Sequence, residues 1–141
     1  MNDAIISIKP QHVENILSGR KTVELRVRGM NLPEGSTLWI YSTLPVGKIK
    51  ISTEIDFIEV LPPKEIWKKY GKNICISKEE FDDYTKTREA VAAIGLRNIK
   101  PLEKDICLET MRAYEKNFQP PQFFSRVNPD RALYSALYKE S

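Results

Sequence analysis

Lys21, Glu24, Arg26 and Arg28 place ionisable groups of both signs within one short stretch, and Arg20 and Thr22 stand beside them. Side chains of these types can neutralise phosphate, accept the protons of an amine and position a hydroxyl, so together they could hold an anionic, hydrogen-bonding ligand. Spacing decides where they point. Val23, Leu25 and Val27 alternate with Thr22, Glu24, Arg26 and Arg28, which is the period-two pattern of a half-buried strand. One face of that strand then lies on a core. The other carries a hydroxyl, a carboxylate and two guanidiniums, with Arg20 and Lys21 at the strand entrance. The same pattern also suits a solvated sheet face whose charges pair across strands.

Other elements must position this strand. Ala4–Ile8 is an apolar run suited to a buried strand, and Lys9 stands at its end. Pro10 takes the first position of a helix running to Ser18, with Val13, Ile16 and Leu17 inward and His12 at the surface. Gly19 ends that helix in the left-handed conformation. After the turn signal Pro33-Glu34-Gly35, residues 37–43 form a strand with Leu38 and Ile40 on one face and Trp39 and Tyr41 on the other. Tyr41 and Ser42, at the strand end, are candidates for a ligand cleft.

Gly19, Lys21, Glu24 and Arg26 spell G-x-K-x-x-E-x-R, which resembles the signature of the ASCH domains, relatives of the RNA-binding PUA domain. The resemblance continues in the strand and helix of Ile5–Leu17, in the strand Leu38–Val46 and in the helix Ser77–Tyr84, covering about residues 4–97 in the family's order. It implies an α+β fold in which a small curled or barrel-like mixed sheet of PUA-like type is flanked by helices. It also implies a cleft beside the motif strand that accepts RNA or a nucleobase-bearing small molecule, with a role in RNA metabolism or transcription regulation. Lys9, Arg20, Lys21, Thr22, Glu24, Arg26, Arg28, Tyr41 and Ser42 are the expected binding set, with the cations on phosphates, Glu24 on an exocyclic amine and Trp39 or Tyr41 stacked on a base. Some compact members resemble this chain and hydrolyse the acetyl amide of N4-acetylcytidine through a lysine in the position of Lys21, a threonine three residues on and a later glutamate. Glu24 occupies the threonine's place here, and Thr22 lies on the opposite strand face from Lys21. Ribonuclease activity is a further possibility that the resemblance carries, again with Lys21 as the catalytic candidate.

Composition frames these expectations. The chain has 141 residues, 41% hydrophobic and 29% charged, with a net charge of +3, ordinary values for one globular domain spanning 1–141. Its core is expected over about 4–97, with a helical C-terminal extension over 101–141. No apolar run approaches the roughly 20 residues of a membrane helix and no signal-peptide layout opens the chain, so a cytoplasmic protein is expected. Cys75 and Cys107 lack C-x-x-C spacing and are read as reduced, partly buried thiols. With His12 the only histidine, neither a metal site nor a cofactor is expected.

Further strands are expected over 47–60 and 89–97, where Gly95 would let another backbone approach. A brief helix is expected over 64–70 with Gly71 beyond its end and its lysines solvated. Ser77 and Glu80 form a capping box, and Ile76 with Phe81 makes the hydrophobic staple. Glu80 therefore has a structural role already. Cys107, Met111 and Tyr114 recur at helical spacing, and a last helix is expected to be capped by Asn128, with Pro129 at its first position and Leu133, Ala136 and Leu137 inward.

Overall fold

The computed structural model describes residues 2–141. Six strands, β1 (Asp3–Ile8), β2 (Val23–Arg26), β3 (Thr37–Ser42), β4 (Lys48–Leu61), β5 (Val91–Cys107) and β6 (Phe124–Arg126), form one sheet in the order β2-β5-β4-β3-β1-β6. Five helices flank it: α1 (Pro10–Leu17), α2 (Pro63–Ile74), α3 (Lys78–Thr85), α4 (Leu108–Tyr114) and α5 (Ala132–Glu140). The sheet is mixed. β1 and β3 run parallel, and every other neighbouring pair is antiparallel.

The sheet curls because its two longest strands are bent. β4 and β5 pair over nearly their whole length, but the register slips between Ile49 and Ile51, between Ser52 and Glu54, and between Ile55 and Phe57. Each irregularity adds local twist and bends the ribbon. The result is a half-barrel that brings β2, one edge of the sheet, close to β1 near the opposite edge. No backbone ladder joins them; Arg26 of β2 does so by donating from Nη2 to the Ser7 carbonyl of β1 at 2.7 Å. This is the α+β, curled mixed sheet that the motif implies.

Three apolar clusters fill the molecule. The inside of the curl holds Ile6, Ile8, Leu38, Ile40, Ile51, Ile55 and Ile94 against Val13 and Ile16 of α1. On the outer face α4 and α5 cover Ile5, Trp39, Tyr41, Ile49 and Ile106 with Met111, Leu133, Ala136 and Leu137. Val23 and Leu25 of β2 meet Ile66, Ile74 and Phe81 of α2 and α3, so the apolar face of the motif strand is buried as its alternation requires. Ile76 joins Phe81 in that cluster, and Ser77 Oγ accepts from the Glu80 backbone N–H at 3.1 Å, the serine half of the expected capping box; Glu80 lines the cleft described below, and among the described residues its carboxylate accepts no bond from the Ser77 N–H. Both cysteines are free and partly buried.

Several boundaries differ from the sequence reading. β5 does not stop at 97 but passes through Pro101, which stands opposite Ile51 next to a register slip, and runs on to Cys107. The segment 101–141 is therefore not a helical extension alone, and β6 pairs with β1 as an edge strand of the sheet. α2 runs past Gly71 to Ile74 and ends at Cys75, which takes the left-handed conformation with φ 60°. Gly95 makes room for a side chain, not a backbone, since a Cβ there would lie 2.1 Å from the Phe57 ring. α5 starts at Ala132 instead of after Asn128, and its N-terminus is capped from α4: Glu115 Oε2 accepts from Leu133 N–H at 3.2 Å while the same carboxylate holds Arg131 at 2.8 and 3.0 Å.

Candidate functional site

A cleft of about 590 Å³ opens between the motif strand and the end of β1. Its floor is β2 with the residue that leads into it: Lys21, Glu24, Leu25 and Arg26. Ser7 and Lys9 at the end of β1 form one wall with Gln11 and His12 of α1, and Glu80, Asp83 and Tyr84 of α3 form the opposite one. Pro121 and Gln122, in the loop before β6, complete it, tied down by Ser7 Oγ donating to the Pro121 carbonyl at 2.6 Å.

The charged floor is a buried triple centred on one carboxylate. Glu24 Oε1 lies 3.2 Å from Lys21 Nζ, and Glu24 Oε2 lies 2.7 Å from Arg26 Nη2. Lys21 also donates to the Ile74 carbonyl at 2.8 Å, at the C-terminus of α2 where helix carbonyls lack intrahelical partners. Lys21 and Glu24 are 1% and 6% exposed, so these charges leave water only because each has a partner. The Arg26 guanidinium stacks on the Phe123 ring with 4.9 Å from Cζ to the centroid. Its Nε and His12 Nδ1 are buried and have no hydrogen-bond partner within the protein.

Electrostatics in the cleft are balanced. Lys9, Lys21 and Arg26 face Glu24, Glu80 and Asp83, three cations against three carboxylates. Burial, and then the neighbouring Lys21 ammonium, hold the His12 imidazole below its ordinary range, with Glu24 and Glu80 opposing. Burial raises the Tyr84 hydroxyl above its ordinary range, against a lowering influence of Arg26. Among the described residues no group of three or more His, Cys, Asp or Glu side chains is placed to hold a metal ion.

The structure thus gathers four of the expected residues, Lys9, Lys21, Glu24 and Arg26, and separates the other five from the cleft. Arg20 is exposed at the end of α1 and donates to Asn15 Oδ1 at 3.1 Å. Thr22 points the opposite way from Lys21, toward Asn73, whose Nδ2 lies 3.4 Å from its hydroxyl. Arg28 follows the end of β2 and is exposed outside the cleft. Tyr41 and Trp39 are sealed on the outer sheet face because α4 and α5 cover it, which leaves neither ring free to stack on a base. Ser42 is 1% exposed and does not line the cleft, one residue before Thr43, which does reach it.

Sequence reasoning missed His12, Tyr84 and the 121–122 loop. His12 looked solvent-facing because it flanks, and does not join, the apolar stripe of α1. Tyr84 carried a signal, being an aromatic residue on a short, acidic, exposed helix face. The loop could not be found from local pattern, since it reaches the site only through β6 pairing with β1.

The family described as a domain of unknown function, DUF365, matches residues 3–123. A curated relative from Zymomonas mobilis, named as an ASCH domain-containing ribonuclease, is 35% identical over 121 residues, which is 85% of this chain and 80% of the relative. The crystal structure of the ASCH protein from Zymomonas mobilis superposes with a TM-score of 0.89 at 29% identity, covering 96% of this chain and 93% of that one. The human THYN1 protein, solved in complex with 5-methylcytosine-containing DNA, shares the fold with a TM-score of 0.59 at 11% identity over 100% of this chain and 99% of its own. Among the described residues no helix is long and apolar enough to cross a membrane. With its G-x-K-x-x-E-x-R motif on the floor of the cleft, the chain belongs to the DUF365 family and, through its 35% identical relative, to the ASCH domain proteins of PUA-like fold.

Proposed function

We propose that this chain acts as one RNA-binding ASCH domain whose cleft takes a nucleobase of a single-stranded segment against Lys21, Glu24 and Arg26. The observation that carries the reading is the cleft itself: an open space of about 590 Å³, within the range of small-ligand sites, floored by two cations on one carboxylate and walled by two further carboxylates and Lys9. A lining of that kind suits a neutral, hydrogen-bonding base better than a phosphate, because its three cations already face three carboxylates. Glu24 retains lone pairs beyond the two it spends on Lys21 and Arg26, and these can accept an exocyclic amine. Arg20 and Arg28, exposed outside the cleft, remain for phosphates on either side. Relatives support a nucleic-acid partner: one carries the name ribonuclease and a fold neighbour was solved with DNA.

Ribonuclease activity is the second reading, and the Zymomonas relative is the observation that favours it. Lys21 would be its donor to a developing negative charge, with Ile74 and Glu24 fixing the ammonium in place. The amide-hydrolase alternative draws less support, since two of the three Lys21 N–H donors are committed and Thr22 faces Asn73. Binding of a labelled single-stranded RNA of ten nucleotides tests the first reading. The parent protein should bind it and Glu24→Gln should change which base is preferred; a parent that binds no RNA would refute the proposal. Following the same oligonucleotide by gel electrophoresis tests the second, with cleavage by the parent and none by Lys21→Ala as its expected result.

A further inference from the structure

The outward face of α2 carries positive charge that the fold does not use. Lys64, Lys68 and Lys72 recur every fourth residue, so they form one row about 12 Å long on the helix. All three are exposed, and among the described residues none of them is in an ion pair. The lysines around them are paired, Lys69 with Glu59 and Lys78 with Asp82. Glu65 is the carboxylate beside the row on the same helix, one acid against three ammonium groups. For the helix itself the row is unfavourable: like charges four residues apart repel, and Lys64 stands in the first turn, where the helix dipole opposes a cation. The other face of α2 is committed to the core, with Ile66, Trp67, Tyr70 and Ile74 packed among Val23, Leu25 and Phe81.

The row starts at the cleft. Ile74, the last residue of α2, lines the cleft and takes the Lys21 ammonium on its carbonyl, and the Asn73 carbonyl accepts from Thr22 N–H at 3.0 Å. Lys72 is therefore held beside the approach to the motif strand, where Arg20 is also exposed, and Lys68 and Lys64 lead away from it. An open hollow of about 340 Å³ runs along Trp67, Lys68, Lys69, Gly71 and Lys72. We propose that Lys64, Lys68 and Lys72 form an interaction surface for the phosphates of the RNA strand where it leaves the cleft past Ile74. This extends the RNA-binding reading and rests on it. The balanced lining of the cleft leaves the phosphates of a bound strand to be neutralised elsewhere, and a row of unpaired lysines continuous with its rim supplies that charge. A basic helix can also lie on an anionic membrane, but α2 has its apolar face in the core and keeps no side chains to insert.

The test measures affinity for a ten-nucleotide single-stranded RNA by fluorescence anisotropy across a salt series at pH 7. It compares the parent with a triple variant, Lys64→Gln with Lys68→Gln and Lys72→Gln. A control of equal net charge carries Lys100→Gln, Lys104→Gln and Lys116→Gln, exposed lysines of β5 and of the segment after α4. The α2 triple should lower the log–log salt slope by about 2, so that doubling the salt weakens the parent about fourfold more than the variant. Its preference among bases should match the parent's, because phosphate contacts carry no sequence information, and its urea midpoint should not fall. The control should keep the parent's slope to within about 0.5. An α2 triple with the parent's slope, or a control that loses as much, overturns the inference and leaves the cleft reading standing. So does an α2 triple that binds RNA as the parent does but loses the parent's binding to phosphatidylserine vesicles, which would assign the row to a membrane surface. A parent that binds no RNA overturns both.

Discussion

Replacing Arg26 with methionine removes a side chain that joins the two margins of the curled sheet. Its Nη2 serves the Ser7 carbonyl at 2.7 Å and the Glu24 carboxylate at 2.7 Å, and its plane covers Phe123. Methionine keeps most of the stem volume, so the loss is chiefly polar. Stranding the Ser7 carbonyl, in a residue 7% exposed, costs about 1–3 kcal/mol. Breaking a buried pair outright costs about 3–5 kcal/mol, but Glu24 keeps Lys21 at 3.2 Å, so less than half of that applies. The two together come to about 3 kcal/mol, a fall in Tm of about 6–12 °C for a chain of this length. Urea unfolding followed by tryptophan fluorescence measures it. Adding Glu24→Leu and Lys21→Met to Arg26→Met should recover part of the loss, since no unpaired charge then remains buried. An Arg26→Met protein within about 0.5 kcal/mol of the parent would refute the view that this guanidinium closes the curl.

Four further outcomes follow from the same geometry. Ser77→Ala removes the acceptor for Glu80 N–H and should cost about 1 kcal/mol with RNA affinity unchanged, read from paired unfolding and binding curves. Gly95→Ala puts a methyl into the Phe57 ring, which stacks on Tyr70 at 5.1 Å, and should lower stability by about 1–3 kcal/mol in urea. Arg131 holds the Glu115 carboxyl below its ordinary range, so their pairing stabilises the fold above the unfolded carboxylate value of about 4.3 and is lost as pH falls through the lower folded value. The stability difference between parent and Arg131→Met should therefore shrink in that acid window, as a pH series of melts would reveal. In binding, Arg20→Ala and Arg28→Ala should each reduce the log–log salt slope by about 0.7, while Arg26→Met should weaken affinity with little change in slope, because its charge is already met by Glu24.

What the sequence revealed was local, and what it concealed was long-range. The alternation of Val23 and Leu25 with Glu24 and Arg26 places the motif strand correctly, since period-two burial acts within a few residues. Ser77 and Glu80 mark their helix start for the same reason. Tyr41 and Trp39 misled because the helices that bury them, α4 and α5, come some 70 to 90 residues later. The strand expected to stop at 97 runs on to Cys107 because its continuation is set by pairing with β4, Ile51 standing opposite Pro101, which no local pattern reveals. In the cleft, charges adjacent in sequence could be read as either clamp or ion pair. They are an ion triple that forms the floor of a cleft, a combination that needs both Ile74 from α2 and Ser7 from β1 to be in place.

The claim that the cleft is the RNA-binding site is tested most directly by mapping backbone amide shifts in an NMR titration with a ten-nucleotide single-stranded RNA. The account predicts saturable shifts concentrated at Ser7, His12, Glu24, Arg26, Tyr84 and Gln122, with smaller ones at Arg20 and Arg28. Shifts confined to the exposed lysines of α2, or to the outer face under α4 and α5, with the cleft amides unmoved, would contradict it.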